Sequence, residues 1–522
     1  MNQPSHPPLD RVSFLRGTAT KPLLFLNGFM AAIYFLVITF GFRPGNHALF
    51  YFLIAGEVFH LFQIVGFCYT IWDNRLTAKF DETFHRPVDI YITVCGEPVE
   101  IVRKTARAAL AMEYPHFKVF LLNDGFVAKK DNWQEIDALA DELGIKSITR
   151  REPGGAKAGN INNAMRTTHS PYVVVFDADH IPHVDFLKKT MGYFIDPDMG
   201  FVQTPQFYQN QYVNEVTETA WNQQTLFFAP IMSGKNRLNS AFMCGTNMVL
   251  SRTAIDEAGG MCEFNIAEDF LTSLFVHDKG WKSVYVPKVL AEGLAPEDFL
   301  SYYKQQYRWT RGSLEVIFKY NPLLRRGLSW AQRFQYLVSA SYYLSGIFVL
   351  IDALLPIIFL FTGITAVRTS TMALAAAFLP YIALSLYALQ RSANFSYTFN
   401  AISFSLSSFY LQIRAIVAVL TNQKTSFSVT SKQQIQGNFL YLAIPHLFYY
   451  ALTVIGLAVG LSREGLSASL MANLSWAIIN CVVFWPFIKA AAPQRSIAKT
   501  EANGPISKLD MPLSKTEIKV LS

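Results

Sequence analysis

Charge is scarce in this sequence. Only 16% of its 522 residues are Asp, Glu, Lys or Arg, against 51% hydrophobic. That balance excludes an ordinary soluble multidomain protein and points to a membrane protein with a soluble part. The net charge of +7 is modest for the length. Its basic residues flank apolar runs, which reads as membrane topology and excludes a nucleic-acid binder. Cysteine is sparse too. Cys68, Cys95, Cys244, Cys262 and Cys481 lack metal-ligand spacing. They imply no disulfide framework and fit a reducing cytosol. There is no Walker loop and no internal repeat. No small-residue cleavage site follows the first apolar run, so that run reads as an anchor rather than a signal peptide.

What the sequence has is long apolar runs. Residues 22–42, 48–72, 341–364, 371–390, 439–461 and 468–488 can each cross a bilayer, about six spans in all. The stretch 395–420 is apolar but broken by serines, Gln412 and Arg414, and reads as an amphipathic helix on the membrane surface. The Lys and Arg clusters fall on one side if both termini are cytosolic. The expected organisation is a cytosolic segment 1–21, two membrane helices within 22–72, and a cytosolic α/β domain at 73–325. Interfacial helices, a polar loop at 421–438 and four further membrane helices then fill 326–489, before a polar tail at 490–522. Glu57 and His60 share one face of the second span. They either face a polar cavity or form a paired structural couple.

Within 73–325, strands are expected at 88–94, 118–122, 147–149, 172–176 and 201–204, with helical stretches between them. That alternation predicts a mostly parallel sheet. The most informative stretch runs from Gly154 to His180. A glycine-rich loop carries Lys157, and an apolar strand then ends on Asp177-Ala178-Asp179. Buried strands of such sheets deliver ligand-binding residues at their carboxyl ends. Two carboxylates there suit a divalent cation bridging phosphates, and glycines before a lysine suit a diphosphate. The bland alternative for Asp-x-Asp alone is a solvated turn.

Other strand ends carry the carboxylates Glu97 and Asp124, placed to hold a base and ribose or to act as caps and turns. Ala267-Glu268-Asp269 opens a helical run, as an N-terminal cap or as the source of a general base. Pro296-Glu297-Asp298 starts a helix that carries Gln305, Arg308 and Trp309. The guanidinium can grip a diphosphate and the indole can face a sugar ring. The same pair would also serve as an interfacial anchor.

These pieces, in this order, resemble the processive family 2 glycosyltransferases, the catalytic subunits of bacterial cellulose synthases among them. The family's Asp, Asp-x-Asp, Thr-Glu-Asp and Gln-x-x-Arg-Trp motifs are matched by Asp124, Asp177/Asp179, Glu268-Asp269 and Gln305/Arg308/Trp309. Lesser matches are Ala156-Lys157-Ala158-Gly159-Asn160, Val202-Gln203-Thr204-Pro205 and Cys244-Gly245-Thr246. Phe427, Val429, Thr430 and Lys432 match a gating loop of the form F-x-V-T-x-K.

The resemblance implies a glycosyltransferase A-type domain inserted between transmembrane helices in the cell's inner membrane. It implies inverting transfer from a UDP-sugar, UDP-glucose foremost, onto a growing β-glucan that crosses the bilayer, with accessory export subunits as further partners. By the same resemblance Thr93, Glu97, Asp124, Lys157, Asp177, Gln305 and Arg308 hold the nucleotide. Asp177, Asp179 and His180 hold Mg2+ or Mn2+. Asp269 is the base, and Cys244, Gly245, Glu268 and Trp309 border the acceptor. The gating-like loop would close over substrate. Two departures stand out. Ala267 occupies the place of the family's threonine, so a hydroxyl near the acceptor is missing. The tail is shorter than a cyclic di-GMP-binding PilZ domain, so control by that route is not expected. Other readings are a non-processive lipid glycosyltransferase, a mannan or chitin-like synthase using another nucleotide sugar, and a nucleotide-sensing transporter or channel.

Overall fold

In the computed structural model, residues 19–423 and 435–493 are described. Seven strands form the main sheet: β1 Val88–Val94, β2 Phe117–Asn123, β3 Lys146–Thr149, β4 Tyr172–Asp177, β5 Met199–Gln203, β6 Met248–Ser251 and β7 Lys282–Tyr285. Their order across the sheet is β7-β5-β6-β4-β1-β2-β3. Every pairing is parallel except those of β6, which runs antiparallel between β4 and β5.

Alternate residues of β1, β2 and β4 supply the two faces of the sheet. Ile90, Leu121 and Val174 pack on one face, and Tyr91, Leu122, Val173 and Val175 on the other. Both faces are covered, so these strands read as continuous apolar runs and are legible from sequence. The five expected strands are present within two residues at each end. The two that were not expected, β6 and β7, are four residues long, too short for periodicity to show. In register, Thr93 lies beside Asp177 and Val94 beside Asn123. That gathers the functional strand ends along one edge.

Among the described residues, seven helices are long and apolar enough to cross a membrane. Six overlap the expected spans. The seventh, Phe399–Leu420, is the stretch expected on the membrane surface. It is divided at Ser408, and 61% of its apolar window is buried in protein, against 11–33% for the others. Its second half packs on the helix Phe299–Tyr320. Glu57 finds partners inside the bundle. Tyr34 donates to it at 2.8 Å, and His60 lies 3.9 Å from both Glu57 and Asp352. The couple is joined by a third ionisable group, Asp352, so the two readings are not separated by these contacts.

Candidate active site

The site grows from the end of β4. Asp177 N donates to Thr246 Oγ1 at 2.9 Å, and His180 N donates to the Asp177 carbonyl at 3.0 Å, which closes the turn. Asp179 Oδ2 accepts from Leu294 N at 3.1 Å. Ligand atoms of Asp177, Asp179 and His180 lie within 4.8 Å of one another. Both ring nitrogens of His180 are buried with no hydrogen-bond partner among the described residues, Nδ1 lying 3.5 Å from Asp179 Oδ1. Gly293 lies flush against that ring, where a Cβ would overlap it. Two carboxylates and an orphaned imidazole fit a divalent cation. Carboxylates suit Mg2+ and Mn2+ alike, and the imidazole suits Mn2+.

Gly154 (φ 144) and Gly155 (φ 63) take left-handed backbone, from which the helix Ala156–Thr167 starts. Lys157, in its first turn, bonds Asp177 Oδ1 and donates to the Gly245 carbonyl at 2.8 Å. Burial opposes its charge, but Asp177, Glu268 and Asp269 outweigh burial and hold the ammonium above its ordinary range. Asp177 moves the opposite way. Burial would raise it, but Lys157 and His180 keep it ionised below the usual range.

Asp124 ends β2 as expected, with a partner the sequence reading missed. Arg150 donates from Nε and Nη2 to its two oxygens at 2.9 and 2.7 Å. The same guanidinium bonds the carbonyls of Gly154 and Ala156. Asp124 is therefore first a brace for the glycine–lysine loop, and any nucleotide contact uses its remaining lone pairs. Arg150 directly follows β3, beside a strand that ends in a carboxylate; that juxtaposition was the available signal. Thr93 Oγ1 sits 3.3 Å from Asp177 Oδ1. Glu97 accepts from Cys95 N at 2.6 Å and shapes the loop after β1.

The loop Cys244–Thr246 is held by Gln203, at the end of β5. It accepts from Cys244 N at 2.8 Å and donates to the Thr246 carbonyl at 2.8 Å. Gln206 donates to the Cys244 carbonyl at 2.7 Å. Gly245 has φ 82, and a Cβ there would stand 3.1 Å from Asp269 Oδ2 and 3.7 Å from Lys157 Nζ. Asp269 thus reaches the same point from the opposite wall. It keeps part of its surface open yet sits deep among protein atoms. Burial, then the charge of Glu268, pushes its carboxyl up to about 7, against the pull of Lys157 and Arg308.

The helix Phe299–Tyr320 starts at Asp298, which accepts from Ser301 N at 2.8 Å. Its Gln305 lies beside the Tyr208 hydroxyl, and Arg308 is close enough to act on Asp269. Trp309, next in the chain, is half-buried. Ala267 packs directly on Gly312 of this helix, and Asn265 donates to the Gly312 carbonyl at 3.3 Å. Phe427, Val429, Thr430 and Lys432 lie outside the described residues. The residues bordering that segment are anchored on the same helix. Arg311 bonds the Gln423 carbonyl, and Ile435 N donates to Asp298 at 3.2 Å.

Residues 86–312 match the family described as glycosyltransferase like family 2, and residues 257–491 the family described as cellulose synthase. A cellulose synthase catalytic subunit (UDP-forming) of Pseudomonas fluorescens is 29% identical over 484 residues, covering 88% of this chain and 65% of the relative. Cellulose synthase 2 of Novacetimonas hansenii is 30% identical over 493 residues, covering 90% of this chain and 30% of the relative. The chain thus spans less than two thirds of both relatives. Among solved structures, the mannosyltransferase PcManGT of Pyrobaculum calidifontis, in complex with GDP-Man and Mn2+, superposes with a TM-score of 0.50. It is 16% identical and covers 72% of this chain and all of its own, a likeness of fold.

Proposed function

Since the chain is a cellulose synthase-like family 2 glycosyltransferase, we propose that it extends a β-glucan processively from UDP-glucose and passes the product across its own membrane. The observation that carries this reading is the meeting of Asp269, Gly245 and Lys157 at one point, with Lys157 joining that point to the Asp177–Asp179–His180 group through Asp177. Donor phosphates belong on the lysine and metal side, and the acceptor hydroxyl on the Asp269 side.

Asp269 takes the proton from the acceptor hydroxyl. The hydroxyl oxygen attacks the anomeric carbon from the face opposite the diphosphate. The bond from that carbon to the phosphate oxygen breaks, and the nucleoside diphosphate leaves. One displacement of this kind inverts the configuration. A divalent cation held by Asp177, Asp179 and His180 would neutralise the leaving charge. Lys157 and Arg308 add positive charge where it develops. Cys244, Gly245, Glu268 and Trp309 border the sugar that is extended.

The apolar helices and the catalytic domain are packed together. Trp221, Phe299 and Tyr302 of the catalytic domain share one core with Ile357, Phe404, Phe484 and Phe487 of the apolar helices, so the site is built onto the membrane helices. In this reading the catalytic domain and both termini face the cytosol of a multi-pass inner-membrane protein. The test is to incubate purified membranes with each labelled nucleotide sugar and digest the product with linkage-specific glucanases. UDP-glucose should yield a polymer degraded by β-glucanase. A single-sugar lipid product, or incorporation only from another nucleotide sugar, would overturn the proposal.

A further inference from the structure

Lys235 is 1% exposed and takes no part in the chemistry above. Its ammonium donates to Gln335 Oε1 at 3.0 Å and to Ser339 Oγ at 2.9 Å, and lies 5.3 Å from the centre of the Phe242 ring. Among the described residues these are two neutral oxygens and an aromatic face, with no carboxylate. A buried ammonium without a counter-charge is costly. Burial pushes this one down to about 7. A methionine of similar length would pack there without that penalty, so simple packing does not account for a lysine.

The partners of Lys235 come from two elements, and one of them reaches a third. Gln335 and Ser339 lie on the helix Trp330–Ser341, which leads into a membrane span. Gln335 Oε1 also accepts from Thr70 Oγ1 at 3.0 Å, at the end of the membrane helix His47–Thr70. Lys235 itself belongs to the catalytic domain, and the preceding Gly234 is packed so tightly on Thr70 that a Cβ would overlap its carbonyl. Phe242 begins the loop that continues through Met243 and Cys244 to Gly245. Its ring packs edge-on against Phe270, 4.7 Å away, the residue next to Asp269.

We propose that Lys235 is a positioning residue, a pin that fixes the acceptor loop Phe242–Gly245 in register with the ends of two membrane helices. Three directional contacts meet at one nitrogen, which an apolar side chain could not reproduce. The proposal rests on the acceptor reading of Cys244 and Gly245.

The test uses the full chain in detergent, comparing wild type with Lys235→Met and, as a milder variant, Ser339→Ala. Lys235→Met should keep UDP affinity and have an equal or higher thermal midpoint. Amide exchange across 242–246 should quicken, and glycan formation should fall by about tenfold or more while nucleotide-sugar hydrolysis persists. Ser339→Ala should shift exchange in the same direction by less. Unchanged exchange across 242–246, or a Lys235→Met protein that loses UDP binding or melts several degrees lower, would overturn the proposal. Exchange is read without turnover, so a wild type that makes no glycan would sink the functional reading and still leave Lys235 decided.

Discussion

Asp269 Oδ2 faces the backbone of Gly245 so closely that a Cβ at Gly245 would stand 3.1 Å from it. Gly245 also has φ 82, where a side chain costs roughly 1 kcal/mol or more. Gly245→Ala should therefore push the loop away from Asp269. Glycan transfer is expected to fall at least about tenfold, with UDP affinity nearly intact, because Lys157 contacts the carbonyl rather than Cα. Steady-state kinetics beside a UDP titration checks this, and wild-type transfer in the variant would contradict the arrangement.

Asp269 has a carboxyl raised from 3.8 to about 7 by burial and by Glu268. In its proposed role as base it must be ionised, so kcat/KM should rise with pH and level off above about 7, falling about tenfold per unit below. Glu268→Gln removes a charge that raises this carboxyl, so the acid limb should move to lower pH. Asp269→Asn should lose roughly 10²–10⁴-fold in rate with no such limb, while UDP binding survives. For stability the sign is opposite to activity. The raised carboxyl favours the folded state below 3.8, and that contribution fades as pH climbs through about 7. A limb that Glu268→Gln leaves in place would remove Asp269 as its source.

Asp177, Asp179 and His180 fit a divalent cation by geometry and by the orphaned imidazole. Excess chelator should abolish transfer, and Mg2+ or Mn2+ should restore it. Bound Mn2+ should be visible by electron paramagnetic resonance and be lost in Asp179→Asn. Full activity in chelator would remove the cation from the mechanism.

Arg150 and Asp124 are each 9% exposed at their side chains. Arg150→Met strands a buried carboxylate, which typically costs about 3–5 kcal/mol. The thermal midpoint should drop by several degrees. Nucleotide affinity should weaken too, because the carbonyls of Gly154 and Ala156 lose their donor. Arg150→Lys should recover charge but not the two-pronged geometry. A variant with wild-type melting and nucleotide affinity would show that the brace is dispensable.

The sequence made the strand-end residues legible because each is preceded by an apolar run that only a buried strand explains, as Val173–Phe176 does for Asp177. Asp269 was visible for a different reason, as a carboxylate at a helix start. Arg150 was not visible, because its meaning depends on facing Asp124 across two strands and a loop. Nor was Gln203 as the clamp of Cys244 and Thr246, a contact spanning about forty residues. His277 bonds both Tyr336 and Ser283, and Lys235 meets Gln335 a hundred residues on. Such contacts leave no local periodicity. The helix at 399–420 looked interfacial because its polar residues interrupt the apolar run, and those interruptions coincide with the break at Ser408 and its burial in protein.

The reversed direction of β6 has a consequence for how such a site can diversify. A reversed strand is entered at the edge where its parallel neighbours are left, so Cys244–Asn247 arrives beside Asp177 before Met248 pairs with Val175. Residues added ahead of Met248 would lengthen the loop that carries Cys244 and Gly245 without disturbing that pairing. One residue added within β4 would turn its side chains to the opposite face. In the proposed reading, acceptor preference is free to drift in a part of the chain whose length is not fixed by the sheet, while Asp177 is held in place by strand register.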